Sequence, residues 1–428
     1  MEQFGGIMGV VVLLSIAVLL STDRRRIDWR LVGTGVLLQV ALAWLFLSFR
    51  PVAAAFELLA TGVTRVISFA GAGAQFVFGS LSEAKMPWGF VFAFNVVPVI
   101  IFFAALMGVL YHLGIMQRVI ALIAWVLRRT LRITGAEALS ASANIFVGQT
   151  EAPLCIRPYL PTMTRSQLMA VMVGGFATIA GSVMAAYINM LGGESEAARI
   201  MFAKHLITAS VMSAPAAIVM AKIMLPETET PRPESMRAMI GETRTTRNVV
   251  DAAAAGATDG LKLALNVVAM LIAFVALLAL INWPIQSLGA VPAVREFTDS
   301  IGLPPLSLEG ILGTVFAPLA WTFGLAWSDA RSLGTLMGTQ LIATEFVAYL
   351  KLAEMNASGA ISPRAALVAT YCLCGFANLP SIAIQIGGLS ALAPERRDDL
   401  VALGLRAMTA GALACWMTGC VAGLFIPR

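Results

Sequence analysis

Two carboxylates, Glu151 and Glu345, sit in short polar phrases flanked by apolar sequence, at Asn144–Pro153 and Ala343–Tyr349. A third phrase, Gly375–Ser381, carries Asn378, Pro380 and Ser381, and a glycine-rich fourth, Gly174–Gly181, carries Thr178. Carboxylates, amides and hydroxyls at close quarters suit a polar solute bearing several hydroxyl groups. The amide oxygen of Asn144, the hydroxyl of Thr178 and backbone carbonyls freed by unwinding would form a neutral, all-oxygen environment, which suits Na⁺. General acid–base work by the two glutamates is the competing chemistry, and it needs a positioned nucleophile or metal. Neither His112 nor His205 is near them in sequence, and neither are Cys372 and Cys374. An intramembrane enzyme built on Glu151 and Glu345 is therefore the remote alternative; the chain is read as a binding and carrying protein, not an enzyme, with no catalytic residue.

The composition says what solvent surrounds these phrases. Hydrophobic residues make up 59% of the 428 and charged residues only 12%, whereas a soluble domain is about half apolar and about a quarter charged. Runs long enough to span a bilayer occur at Phe4–Leu20, Leu31–Phe49, Gly89–Leu113, Gln167–Met190, His205–Met224, Leu261–Ile281, Pro363–Leu389 and Arg406–Ile426. A crossing takes about 20 helical residues. The first run has an acidic residue before it and Arg24–Arg26 after it, so it reads as a spanning helix rather than a signal peptide. Five cysteines in apolar stretches read as packing residues, with neither a disulfide framework nor a metal site.

Net charge is +5, and its placement decides topology. Arginines cluster at 24, 25, 26 and 30, at 118, 128, 129 and 132, at 232, 237, 244 and 247, and at 396, 397 and 406. The other connections, Glu57 to Lys85, Glu194 to Lys204 and Arg295 to Glu309, are acidic or mixed. The positive-inside rule puts the arginine-rich set in the cytoplasm and both termini outside, with eight crossings. These arginines alternate with lipid-spanning segments and form no single patch, which excludes nucleic acid as a partner.

The order of elements repeats. After Gly89–Leu113 comes an amphipathic, arginine-bearing stretch, Met116–Thr134, suited to the membrane surface. Gly135–Thr164, with Pro153, Pro158 and Pro161, is too broken to span and reads as a re-entrant pair of short helices turning near Gly148–Pro153. The second half offers Leu261–Ile281, a surface stretch at Glu309–Ala326, and a second re-entrant pair at Trp327–Ala353. Gly175-Phe176-Ala177 recurs as Gly375-Phe376-Ala377 at the matching place. The two hairpins enter from opposite faces, and inverted repeats with broken helices and a midplane site are how secondary transporters are built. The expected fold is thus all-α: eight transmembrane helices plus two re-entrant hairpins of opposite orientation.

The expected domains are N-terminal scaffold helices at 1–88, then a scaffold helix and cytoplasmic interfacial helix at 89–134. The first half of a transport domain follows at 135–225, and a cytoplasmic linker at 226–250. An interfacial segment, long scaffold helix and outer amphipathic helix occupy 251–326, and the second transport half is 327–428.

An intramembrane carboxylate is costly, so Glu151 and Glu345 mark function by default; capping a hairpin helix is the plain alternative. Pro380 removes an amide donor and should break its helix, freeing backbone groups beside Asn378 and Ser381. Helix–helix hydrogen bonding is the plain role for those two residues, packing for Phe376, and close helix contact for the Gly174–Gly181 phrase.

The phrases ANIFVGQTEAP (Ala143–Pro153), EFVAY (Glu345–Tyr349) and CGFANL (Cys374–Leu379), supported by LALN (Leu263–Asn266) and SIA (Ser381–Ala383), resemble those of the concentrative nucleoside transporters, across essentially the whole chain. The resemblance implies a bacterial, sodium-coupled nucleoside symporter of the inner membrane, a homotrimer whose transport domain moves like an elevator against a scaffold. It implies that Gln149, Thr150 and Glu151 bind the nucleobase, that Val183 lines that side, and that Phe376 contacts the base face. Glu345, Asn378 and Ser381 would bind ribose hydroxyls. Asn144, Val147, Thr178 and Ile179 would coordinate sodium, the apolar pair through their carbonyls. Three positions depart from the family pattern: Thr178 where serine is common, Thr344 where asparagine is usual, and Pro380 in place of serine. The last two bear on substrate range, and none removes a sodium oxygen. A proton-coupled carrier of nucleosides or another polar solute is the alternative.

Overall fold

The computed structural model describes residues 2–82, 91–193, 195–231, 246–300 and 306–427. All regular structure among them is helical, as lipid demands, because a helix satisfies its own backbone. The first half runs α1 (Glu2–Leu19), α2 (Trp29–Leu47), α3 (Arg50–Phe78), a single turn α4 (Phe92–Asn95), α5 (Val97–His112), α6 (Ile115–Leu131), α7 (Gly135–Ala143), α8 (Arg165–Phe176), α9 (Gly181–Gly192) and α10 (Glu196–Met224). The second runs α11 (Val249–Gly289), α12 (Pro292–Ser300), α13 (Leu308–Trp321), α14 (Trp327–Ile342), α15 (Glu345–Ala357), α16 (Pro363–Cys372), α17 (Leu379–Leu392) and α18 (Arg397–Gly423). Of the expected linker and connections, Arg232, Arg237, Arg244, Glu194 and Lys85 lie outside the described residues.

Among the described residues, seven helical stretches are long and apolar enough to cross a membrane: Trp29–Leu47, Arg50–Ser82, Ala93–His112, Arg165–Gly192, Glu196–Met224, Val249–Gly289 and Pro394–Gly423. Arg50–Ser82 corrects the expectation of a polar connection there. Its charges are few, and it buries a narrow stripe, Ala60, Thr64, Ile67, Ala70 and Ala74, at helical spacing while Phe69, Phe76 and Val77 face out. α1 has 18 residues, about 27 Å at 1.5 Å per residue. The expected crossings Gln167–Met190 and Pro363–Leu389 are each two helices separated by an unwound segment. α11, with 41 residues, is about 60 Å long, well beyond the bilayer core. α6 is amphipathic as its sequence suggests: Met116, Ile120, Ala124, Leu127 and Leu131 pack inward, and Arg118, Arg128 and Arg129 are exposed.

The first hairpin differs from two matched helices. Its outgoing arm is α7, but its return arm is two 3₁₀ turns, Ala152–Ile156 and Leu160–Thr162. Pro153, Pro158 and Pro161 remove the amides a returning α-helix would need. The second hairpin, free of proline, is two full helices, α14 and α15, joined through Ala343 and Thr344.

Hydrogen bonds locate the two ends of the helical body. At one end the α1–α2 turn meets the end of α10 (Thr22 amide to Met224 carbonyl, 3.1 Å). There also Ser166, in the first turn of α8, donates to the Leu225 carbonyl at 2.8 Å, and Arg396, before α18, donates to Pro161 at 3.2 Å. From that end α18 runs 27 residues, about 40 Å. At its far end Arg364 of α16 donates to the Gly423 carbonyl at 3.1 Å, and Ser362 donates to Asp329 of α14 at 2.7 Å. The first hairpin is therefore rooted at the arginine-rich end and the second at the opposite end. α1 and α2 pack on α10 and α18, while α5 packs along α11 and touches the body chiefly through α3, α6 and α9.

The root of the first hairpin holds a buried ion pair. Lys222 of α10 lies 2.6 Å from Glu137 of α7, with both side chains more than nine-tenths buried. Lys222 also donates to Ser166 at 3.0 Å, and Glu137 closes a capping box with Thr134. Removing one partner of such a pair strands the other, so Lys222→Met is expected to destabilise the fold by about 3–5 kcal/mol. Combining it with Glu137→Gln should recover much of that loss. Thermal unfolding in detergent checks both, and a single variant as stable as the parent would overturn the expectation.

Candidate functional site

The two unwound segments, Ala177–Ala180 and Leu373–Asn378, cross each other at the centre of the body. The Phe376 amide donates to the Thr178 carbonyl at 3.2 Å. The crossing is tight enough that a Cβ on Gly375 would fall 2.6 Å from the Phe176 carbonyl oxygen, so glycine is required by contact. Broken backbone at this depth needs partners. Gln340 of α14 supplies them, donating to the carbonyls of Gly375 at 2.9 Å and Leu373 at 3.3 Å. The Gly181 amide, opening α9, donates to Phe146 in the first hairpin tip at 2.9 Å, and Ser210 of α10 donates to Ile145 at 2.8 Å.

The repeated phrase thus does different work in each half. Gly175 and Phe176 close α8, and Phe176 is fully buried against Gly411. Gly375 and Phe376 lie inside the second break, where Phe376 is only partly buried. Pro380 does not interrupt a helix interior. The chain unwinds upstream, Asn378 caps α17, and Pro380 occupies the first turn, where a missing amide costs nothing.

Glu345 opens α15 at the second hairpin tip. Its Oε2 accepts from Asn378 Nδ2 at 2.7 Å and its Oε1 from the Tyr187 hydroxyl at 2.9 Å. Asn378 in turn accepts the Ser381 amide at 2.9 Å through Oδ1. Glu345, Asn378 and Ser381 are all buried. An ionised carboxylate has about four acceptor positions, so this one keeps capacity for further donors. Thr344 caps α15 by accepting the Val347 amide, so threonine retains a capping oxygen at that position. Val183 stands one helical turn before Tyr187 on α9, also buried.

A second set gathers at the first hairpin tip. Asn144 is fully buried; its Nδ2 donates to Ser140 at 3.0 Å, and its Oδ1 takes no hydrogen bond. Thr178 is buried and donates its hydroxyl proton to Gly174 at 2.8 Å, which leaves the lone pairs of that oxygen free. α7 and α8 approach closely here, for a Cβ on Gly174 would sit 3.1 Å from Asn144 Nδ2. Val147 and Ile179 lie in the adjoining unwound stretches. A buried amide oxygen that accepts no hydrogen bond among the described residues, and a buried hydroxyl oxygen whose proton is already committed, are the kind of neutral oxygens a monovalent cation takes.

Gln149 is buried against Gly175 with its Oε1 unpartnered, and Thr150 packs its methyl over Gly388 of α17. Glu151 is exposed, and among the described residues its carboxylate makes no hydrogen bond or ion pair. The structure thus joins Glu345 to Asn378 directly, and among the described residues no side-chain hydrogen bond links Gln149, Thr150 or Glu151 to that pair.

The sequence reading missed Tyr187, Gln340, Gln385 (which donates to Met172 of α8 at 2.9 Å) and the ion pair of Glu137 with Lys222, all of them buried. A charge or amide inside an apolar run was the available signal for the last three. Tyrosine, amphipathic by nature, gave none.

Comparison with known proteins follows the same lines. Residues 205–423 match the family described as Na⁺ dependent nucleoside transporter C-terminus, residues 8–81 its N-terminus counterpart, and residues 93–194 the family described as nucleoside recognition. An uncharacterized transporter of Haemophilus influenzae is 43% identical over 433 residues, covering 100% of this chain and 98% of its own. Sodium/nucleoside cotransporter 1 of Mus musculus is 40% identical across 100% of this chain, which spans only 64% of that longer protein. The solved structure of CNTnw in an inward-facing substrate-bound state superposes with a TM-score of 0.89 at 42% identity, covering 99% of this chain and 98% of that one.

Proposed function

The chain belongs to the Na⁺ dependent nucleoside transporter family, and we propose from that premise that it is a symporter bringing nucleosides into the cell on a sodium gradient. It is a multi-pass membrane transporter, not an enzyme. The observation that carries the reading is the meeting of Glu345 and Asn378 beside the crossed helix breaks, with the unpartnered amide oxygen of Asn144 nearby in the fold. Glu345, Asn378 and Ser381 take ribose hydroxyls as acceptors and donors. Gln149, Thr150 and Glu151 read the base edge, Val183 closes that side, and Phe376 lies against the base face. Sodium is held by Asn144 and Thr178 with the carbonyls of Val147 and Ile179.

Opposed hairpins give the site a door on each face. The helices of 135–225 and 327–428 move together past α5 and α11 in an elevator-like cycle. One sodium ion entering down about 100 mV releases about 2.3 kcal/mol, and a tenfold gradient adds about 1.4 kcal/mol. Together these drive a several-hundredfold accumulation of nucleoside. The exposed apolar faces of α3 and α11, with Leu58, Phe76, Ile272 and Trp283 outward, support contact with lipid and with two further copies in a homotrimer. The arginine placement supports both termini lying outside the cytoplasm, and the membrane in this reading is a bacterial inner membrane.

The test is radiolabelled uridine uptake into proteoliposomes under an inward Na⁺ gradient, against matched choline. Uptake should require the sodium gradient. Equal uptake in both buffers would remove the sodium coupling, and uptake driven instead by a pH gradient would make the coupling ion a proton. No uptake of uridine or adenosine under any gradient would overturn the substrate class.

A further inference from the structure

The hydroxyl of Tyr187 is buried in the body and donates to one oxygen of Glu345 at 2.9 Å, while Asn378 holds the other at 2.7 Å. Its ring has little freedom, for it stacks on Tyr349 with centroids 4.2 Å apart and meets Phe346 at 5.3 Å. α9, helical over Gly181–Gly192, and α15 are thereby tied both by these ring contacts and by one hydroxyl-to-carboxylate hydrogen bond. A carboxylate at a helix start held by Asn378 alone would be free to rotate about its terminal torsion, which is broad and soft. With both donors in place its plane is set, and the remaining acceptor positions point in fixed directions.

We infer that Tyr187 is a positioning residue for the sugar: by fixing the plane of the Glu345 carboxylate it sets the preference of the site for substrates carrying ribose hydroxyls. This rests on the nucleoside reading above. Binding tight enough to discriminate hydroxyls requires acceptors aimed before the substrate arrives, because a site that leaves a buried polar group unpaired rejects the analogue lacking its partner. A swivelling carboxylate would instead relax onto whatever donor remained, and the discrimination would fade.

The experiment compares uptake of uridine and 2′,3′-dideoxyuridine, which lacks both hydroxyls, in the parent protein, Tyr187→Phe and Tyr349→Phe. Tyr349 shares the stack but donates to the Thr370 carbonyl at 2.7 Å, not to Glu345, so it controls for the loss of a buried hydroxyl. In Tyr187→Phe, KM for uridine should rise about tenfold, as for one hydrogen bond to a charged group. Dideoxyuridine uptake and maximal rates should change little, so the preference for uridine falls by the same factor. Tyr349→Phe should keep the preference even where it unfolds more readily. Tyr187→Phe with an unchanged preference, or with both substrates impaired equally, would overturn the inference while leaving the nucleoside reading intact. Failure of the parent to carry uridine, its dideoxy analogue or adenosine would overturn that reading instead. Should the phenylalanine variant not accumulate, 3,5-difluorotyrosine at 187 keeps the hydroxyl as a stronger donor. The preference must then move relative to the parent, and an unmoved preference counts against the inference.

Discussion

Glu345→Gln is expected to cut uridine uptake by about 10²- to 10⁴-fold while the protein remains folded. The carboxylate accepts from Tyr187 and Asn378 on separate oxygens. Glutamine offers only one acceptor oxygen, and its amide nitrogen would face one of those two donors. The charge-assisted bonds to substrate hydroxyls also disappear, at about 1.5–3 kcal/mol each, and two such losses give the stated range at about 1.4 kcal/mol per decade. Purified protein with parental chromatographic behaviour and thermal stability but negligible uptake is the expected pairing. Asn378→Ala should lose uptake likewise, because it removes the second donor to Glu345, and losing the cap of α17 should also lower its stability by about 1 kcal/mol. Wild-type uptake by either variant would take the pair out of the substrate site.

Thr178→Val should raise the sodium concentration for half-maximal uptake by about 10- to 100-fold, and substrate affinity at saturating sodium should change little. The substitution conserves shape and removes one oxygen whose proton is already committed to Gly174, so what the ion loses is a ready lone pair. Linkage requires that sodium and nucleoside raise each other's affinity by the same factor. A weaker sodium site must therefore weaken nucleoside binding when sodium is scarce, and only then. Asn144→Leu, which deletes the unpartnered Oδ1, should shift the curve at least as far. Sodium curves superimposable on the parent's in both variants would place the ion elsewhere in the fold.

Much of this was legible in the residues. Apolar runs in lipid must be helices, so the fold class followed from composition and run length, and the order of elements disclosed the repeat. The phrases around Glu151, Glu345 and Asn378 carried the family. Segment length misled where an apolar stretch held a few charges: Glu57 and Arg65 made Arg50–Ser82 read as a connection, though a helix places them on its outer faces. Proline misled in the opposite direction, because Pro380 marks the start of α17 rather than the point of rupture.

What the chain determined by itself was local: which stretches must be helical, where they lose their hydrogen bonds, and which polar atoms lipid cannot tolerate alone. Tertiary structure decided which of those atoms meet. Glu345 and Asn378 are 33 residues apart and Tyr187 is 158 from Glu345, and no periodicity links such positions. Their meeting depends on two helix breaks crossing at Gly375, where backbone touches backbone and a single Cβ would hold them apart. The same packing left Glu151 exposed and buried Lys222 against Glu137, because burial is a property of the assembled body rather than of any one segment. Local chemistry names the groups that must find partners, and only the closed fold supplies the partner.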